Sequence, residues 1–253
     1  MNGQLRVVGL GPGPAEWITP ESSAALAAAS DIVGYHAYVS RLTVRPGQKV
    51  HASDNREELM RARQALELAA AGARVVVVSG GDPGVFAMAA ALFEALEAGP
   101  AEWRALEIAV LPGVTAMLAA AARLGAPLGN DFCAINLSDN LKPWSVIERR
   151  LSLAAQADFV IALYNPASRS RREQLRTAFE ILRRERAPET LVVFAAAIGR
   201  PDEQVRLRRL VDADPELADM RTLVLIGASG TRSIERPGAL PYIYTPRGIG
   251  ESP

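Results

Sequence analysis

Residues 79–84 read SGGDPG and follow four consecutive valines at 75–78. A β-branched run without alternation fits a strand buried on both faces, as in a parallel sheet. The pair Gly80 and Gly81 admits a ligand or another backbone where a side chain would clash. Asp82 then offers a carboxylate at the C-terminal end of a strand, the edge where open α/β sheets bind ligands. Pro83 is placed to open the next helix. A second stretch, PGVTA at 112–116, follows the apolar run 108–111 and brings the hydroxyl of Thr115. If the two strands are neighbours, Asp82 and Thr115 face one cleft. The plainer alternative is an ordinary strand-to-helix turn with Asp82 as its cap.

Other groups carry weaker signals. GLGPG at 9–13 follows a first apolar run. It is a poor dinucleotide fingerprint: position 14 is proline instead of the third glycine, and Pro12 lacks an N–H that a pyrophosphate cradle needs. A tight turn or a ligand-facing loop of another kind remains. YNPASR at 164–169 reads as a polar turn capped by Ser168 or Ser170, with Arg169, Arg171 and Arg172 on a solvated helix face. The alternative there is a patch that binds carboxylates. His36 and His51 suit surface or structural places, yet either would serve as acid or base if it lined the cleft. Cys133, inside an apolar run, reads as a small core residue. As the single cysteine it excludes an intrachain disulfide and a cysteine-ligated cluster, and two histidines leave little for a metal site. No G-x-S-x-G, P-loop or H-E-x-x-H pattern occurs.

The elements that must position these groups alternate. Runs at 5–10, 31–35, 50–51, 75–78 and 108–111 read as strands. Thr19-Pro20-Glu21 is a helix start, with a threonine cap and proline in the first position. Helices are expected from 20 to 29, 55 to 71, 84 to 97, and from 116 to a stop near Gly125. Strand–helix alternation marks a parallel sheet covered on both faces. Near 126–130 the pattern changes, and Pro127 with Gly129 makes a hinge. Beyond it strands are expected at 133–137, 159–163, 191–196, 204–209, 222–226 and 241–244, with helices at 143–155 and 170–186. Gln/Arg alternation against Val205 and Leu207 suits a half-exposed antiparallel strand. The reading is α/β: two domains, 1–127 and 128–253, the first sheet mainly parallel, the second mixed, with an active-site cleft between them.

With 28 basic and 28 acidic residues the formal charge is zero, so no basic footprint argues for nucleic acid. No apolar run approaches the roughly 20 residues that span a bilayer, and no signal-like start is evident. A cytoplasmic, soluble protein is expected. The positive charge is nearly all arginine, Lys49 and Lys142 being the lysines. Arginine forks suit planar carboxylates.

Taken together, GLGPG (9–13), SGGDPGVF (79–86), LPGVTA (111–116), LYNPASRSR (163–171) and PYIYTPRG (241–248) resemble the tetrapyrrole methylases, S-adenosylmethionine-dependent enzymes of cobalamin and sirohaem synthesis. The order and spacing carry the resemblance, which covers nearly the whole chain. Within the family, VGYHAYV (33–39), GDPGVFAMAA (81–90) and NDFCAINLSDNLKPW (130–144) look like the precorrin-3B methyltransferase branch, which methylates carbon 17 and promotes ring contraction to precorrin-4. A cobalt-containing equivalent exists, and residues alone do not separate the two. The lack of a cysteine-rich extension argues against fused iron–sulfur variants.

The resemblance implies that S-adenosyl-L-methionine is the methyl donor, with contacts at Pro12, Gly80, Gly81, Asp82, Val85, Thr115, Ala116, Asn165, Ala196 and Thr222. It implies a tetrapyrrole substrate whose acetates and propionates meet Arg41, Lys142 and Arg169, with Gly11 and Gly13 nearby. A homodimer and transient contact with neighbouring pathway enzymes are also implied. Methyl transfer is an in-line displacement, so the protein mainly aligns reacting atoms, about 3–3.5 Å apart. Ring contraction needs an acid or base. His36, Asp82 and Thr115 head the candidates, with Ser79 and Asp139 beside them. The competing readings are a family member that methylates another ring carbon or diphthine, and a non-catalytic carrier of a tetrapyrrole intermediate.

Overall fold

A computed structural model describes residues 3–54, 57–168 and 171–248. The chain divides into two compact units, Met1–Thr115 and Ala116–Pro253. This division differs from the 127/128 boundary by residues 116–127, the helix Ala116–Leu124 and the short strand Gly125–Ala126, which group with the second unit.

The first unit runs β1 (Gln4–Gly9), α1 (Pro20–Ala28), β2 (Asp31–Tyr35), α2 (His36–Val39), β3 (Lys49–Ser53), α3 (Glu58–Ala70), β4 (Arg74–Ser79), α4 (Met88–Ala98) and β5 (Glu107–Leu111). Its sheet has the order β3-β2-β4-β1-β5 and every pairing is parallel. The valine run explains why the sheet is covered twice. Val75 and Val77 pack with Ala62, Leu66, Met88 and Leu92 from α3 and α4. Val76 and Val78 face the other way, with Val8, Ile32 and Ala29 beside Ala25 and Leu26 of α1. All four valines are buried, and each contributes on the order of 1.5–3 kcal/mol by leaving water. Thr19 caps α1 as expected, its Oγ1 accepting from Ser22 N.

The second unit runs α5 (Ala116–Leu124), β6 (Gly125–Ala126), β7 (Phe132–Asn136), α6 (Trp144–Gln156), β8 (Val160–Tyr164), α7 (Glu173–Glu185), β9 (Leu191–Ala196), β10 (Gln204–Arg209), β11 (Thr222–Ile226), β12 (Arg232–Arg236) and β13 (Ala239–Tyr244). Its larger sheet has the order β10-β9-β11-β8-β7. Only β7 and β8 are parallel there; the other pairings are antiparallel. The sheet is mixed, as expected. Ile161, Leu163, Phe194, Val224 and Ile226 meet Ile147, Leu151, Phe179 and Leu182 from α6 and α7 in one core. A small sheet, β12-β13-β6, completes the unit. Neither β6 nor β12 is legible in the sequence: one is two residues long, and the other, RSIER, has a single apolar residue.

Three local expectations are corrected. Pro83 does not open a helix, because α4 begins at Met88. Asp82 instead closes a turn onto Gly84 N, Phe86 takes φ 53°, and Ala87 is extended, so no helical turn can start there. Asp82 is thus a loop cap, not a helix cap. Arg171 and Arg172 precede α7 instead of lying on its face. Arg169, with Ser170, lies outside the described residues.

Candidate active site

Parallel pairing delivers the C-terminal ends of β1, β2, β3, β4 and β5 to one edge of the first sheet. The loops after β1, β4 and β5 meet there backbone to backbone. Gly11 N donates to Gly81 O at 3.2 Å and Leu10 N to Ser79 O at 2.9 Å. A Cβ on Gly113 would lie 2.4 Å from Gly81 O, and one on Gly9 would lie 2.7 Å from the Gly113 Cα. Glycine is therefore required at 9 and 113 by contact, not by conformation. At Gly81 the reason is different: its φ is +67°, while a Cβ there would find nothing nearer than 3.8 Å.

Asp82 ties two of these loops together. Its Oδ1 accepts from Gly84 N at 2.8 Å and its Oδ2 from Gly113 N at 3.0 Å. Asp82 and Thr115 thus share an edge, with Thr115 buried two residues beyond Gly113. Val85 continues the same turn, its N donating to Asp82 O at 3.3 Å. Arg41 reaches the β1 loop: Nη1 donates to Gly11 O at 3.0 Å, and Nη2 to Leu10 O at 3.2 Å and Gly13 O at 2.7 Å. Pro12 lies within that loop. His36 stands exposed just past the end of β2, on the same edge. His51 does not join it, because its Nε2 pairs with Asp31 Oδ1 at 2.8 Å. Burial pushes the Asp31 carboxyl up, but hydrogen bonds with His51 and Ser30 outweigh it and hold the group below its usual range.

The second unit assembles its own polar edge. Because β11 runs against β8 and β9, its first residue lies beside their last ones: Thr222 is paired with Ala196, and Val224 with Leu163. Asn165, Ala196 and Thr222 thus come to one edge of one sheet. Asn165 takes φ 51°, and its Nδ2 donates to Asn136 Oδ1 at 3.1 Å. Thr222 Oγ1 donates to Asp219 Oδ1 at 2.7 Å and accepts from Asp219 N at 3.0 Å. Burial raises the Asp219 carboxyl, yet the bonds from Thr222 and the Arg221 amide, with the charge of Arg221, leave it below its usual range. A cavity of about 260 Å³ opens here, lined by Ala196 and Thr222 with Asp202, Gln204, Arg206 and Asp219 among others. Ala116 opens α5, and the next amide, Met117 N, donates to Tyr164 Oη at 3.1 Å.

Lys142 lies in the loop after β7, half-buried, its ammonium pulled below the usual range by burial and then by Arg150. Cys133 is half-buried against the core, and burial raises its thiol against the opposing charge of Arg186; it is no ready thiolate. Among the described residues no cluster of three or more His, Cys, Asp or Glu side chains could hold a metal, and no helix is long and apolar enough to cross a membrane. Asn136, Tyr164 and Asp219 are the contributors sequence reasoning missed. Each acts on a partner far along the chain or around a turn, and none sits in a glycine-marked loop.

The profile of the tetrapyrrole (corrin/porphyrin) methylases matches residues 4–214, most of both units. The chain belongs to that family. This methylase is 59% identical over 247 residues to the precorrin-3B C(17)-methyltransferase of Sinorhizobium sp, covering 98% of this chain and 97% of that one. The crystal structure of the methyltransferase CobJ is similar at TM-score 0.92 and 58% identity, across 96% of this methylase and 100% of that chain. Uroporphyrin-III C-methyl transferase from Thermus thermophilus, solved with S-adenyl homocysteine, is similar at TM-score 0.67 and 25% identity, across 89% and 92% of the two chains. The α/β architecture is that of the methylase fold.

Proposed function

We propose that this protein transfers a methyl group from S-adenosyl-L-methionine to carbon 17 of precorrin-3B, with ring contraction to precorrin-4, in cobalamin biosynthesis. The observation that carries the reading is identity of 59% to a precorrin-3B C(17)-methyltransferase over nearly the full length of both chains. The first-unit edge fits a sulfonium donor. Glycines leave the β4 loop open beyond Gly81, and the surrounding groups are carbonyls and the carboxylate of Asp82.

When bound, the donor supplies an electrophilic methyl to the attacking macrocycle carbon. The chain supplies place and order. Pro12, Gly80, Gly81, Asp82, Val85 and Thr115 are assigned to the donor in the first unit, and Ala116, Asn165, Ala196 and Thr222 in the second. Asp82 orients: both its oxygens already hold loop amides, so it fixes the shelf that the donor rests on. His36, exposed at the end of β2, is assigned the acid–base role in contraction, with Thr115 as a hydroxyl at the donor end. Lys142 and Arg169 are assigned to substrate carboxylates, with the backbone of Gly11 and Gly13. We assign the protein to the cytoplasm as a homodimer, which light scattering on the purified chain tests.

The deciding experiment is incubation with methyl-labelled donor and precorrin-3B, followed by mass and carbon-13 analysis. A gain of one methyl at carbon 17 with a contracted ring is expected. A methyl at another carbon would make the chain a different member of the family. Failure to bind S-adenosyl-L-homocysteine in calorimetry would leave the carrier reading instead.

A further inference from the structure

We infer that Arg41 is a positioning residue of the methyl-transfer site: its guanidinium clamps the Gly-Pro loop after β1 in the place that donor binding requires. The inference rests on the reading that the first-unit loops hold the donor. Residues 11–14 are Gly-Pro-Gly-Pro. Pro12 and Pro14 have no N–H, so the peptide units that carry Gly11 O and Gly13 O have an acceptor and no donor. With two donors missing, the loop has fewer amides of its own to tie it down.

The structure shows what ties it. Arg41 holds the carbonyls of Leu10, Gly11 and Gly13 with its two terminal nitrogens, at 3.2, 3.0 and 2.7 Å. These are charge-assisted bonds in a rigid planar fork, stronger than neutral ones and not reproducible by an ammonium. Arg41 is itself held at the end of α2, its N donating to Tyr38 O at 3.1 Å. Tyr38 backs the other loop, because a Cβ on Gly80 would lie 2.7 Å from its ring. The segment 38–41 therefore supports the β1 loop through Arg41 and the β4 loop through Tyr38, and Gly11 N to Gly81 O joins the two. The sequence assigned Arg41 to substrate carboxylates; the geometry assigns it to the loop.

The test is calorimetric binding of S-adenosyl-L-homocysteine to the intact protein, as wild type, Arg41→Ala and Arg41→Lys, with and without millimolar guanidinium chloride. Arg41→Ala should bind about tenfold more weakly, the effect of losing a hydrogen bond to a charged group. Arg41→Lys should fall between the two. Added guanidinium should restore Arg41→Ala and leave the wild type unchanged. Unaltered affinity in both variants overturns the inference, and so does a loss that guanidinium does not repair. A raised KM for the tetrapyrrole with donor affinity intact would return Arg41 to the carboxylates. If Arg41→Ala does not fold, Arg41→Lys decides: wild-type affinity overturns the clamp, several-fold weaker affinity supports it. A wild type that does not bind the probe overturns the donor reading and this inference with it.

Discussion

The two units build a polar edge by different means. In the first, five parallel strands end together and loops touch through backbone: Gly9 on Gly113, Gly11 on Gly81, with Asp82 holding the amides of Gly84 and Gly113 and Arg41 the carbonyls of Leu10, Gly11 and Gly13. Arg61, at the end of β3, bonds the main-chain Asp54 O at 2.6 Å and adds side-chain partners in Ser53 Oγ at 2.8 Å and Met88 Sδ at 3.3 Å. In the second, antiparallel pairing interleaves strand starts with strand ends, and side chains do the joining: Asn165 to Asn136, Thr222 to Asp219. A backbone-built edge tolerates no added atom but needs few particular side chains. A side-chain-built edge tolerates bulk and depends on each partner. The difference follows from topology, since parallel strands bring several loops to one place and antiparallel strands bring side chains of adjacent ladders together.

The comparison can be broken most directly at Gly113. Gly113→Ala forces a methyl group to 2.4 Å from Gly81 O, which cannot move without the β4 loop. A loss of about 3 kcal/mol in denaturant unfolding is expected, the upper part of the overpacking range, together with loss of donor binding. A smaller change comes from Asp82→Asn. The amide keeps one acceptor oxygen, so Gly84 N or Gly113 N loses its partner. Unfolding should cost about 1–3 kcal/mol less, and donor affinity should fall; unchanged affinity would remove Asp82 from the shelf.

In the second unit, paired substitutions separate conformation from contact. Asn165→Ala loses both the bond to Asn136 and a tolerated left-handed backbone, for about 1–2 kcal/mol. Asn165→Gly keeps the backbone and loses only the side chain. If both variants bind S-adenosyl-L-homocysteine as the wild type does, Asn165 is not a donor contact. The smallest effects are those of pH. Asp31 ionises more readily folded than unfolded, so its contribution is present above the unfolded value near 4 and is lost as pH falls through the lower folded value. His51→Ala should flatten that acid loss, read as melting temperature against pH. Asp219 has the same sign, but its side chain is 53% exposed and solvent screens it. Thr222→Val should therefore change the acid limb less than His51→Ala does.

Much of the first unit was legible because its signals are local. Four valines in a row can be buried only on two faces, and Thr19-Pro20 starts a helix by its own chemistry. The Asp82 and Thr115 loops were found through glycine, which marks close approach. The turn at 82–87 was misread because Pro83 permits a helix start that the Asp82 side chain preempts. In the second unit the strands were legible from apolar runs, yet the partners of Asn165 and Thr222 were not. No local pattern tells Asn136 that it will stand beside residue 165.

By itself the sequence determined most of the strands and longer helices and their order, and through its motifs the family to which the chain belongs. Those properties depend on side chains near one another along the chain. Tertiary structure alone decided what the polar groups do. It turned Asp82 from a free carboxylate into a bolt between two loops, and it set Arg41, read from the sequence as a partner of substrate carboxylates, on the carbonyls of Leu10, Gly11 and Gly13, the last two of which precede prolines. It put Thr222 beside Ala196 across an antiparallel register. Each of those roles is a distance between residues remote in sequence, and such distances exist only once strands have paired.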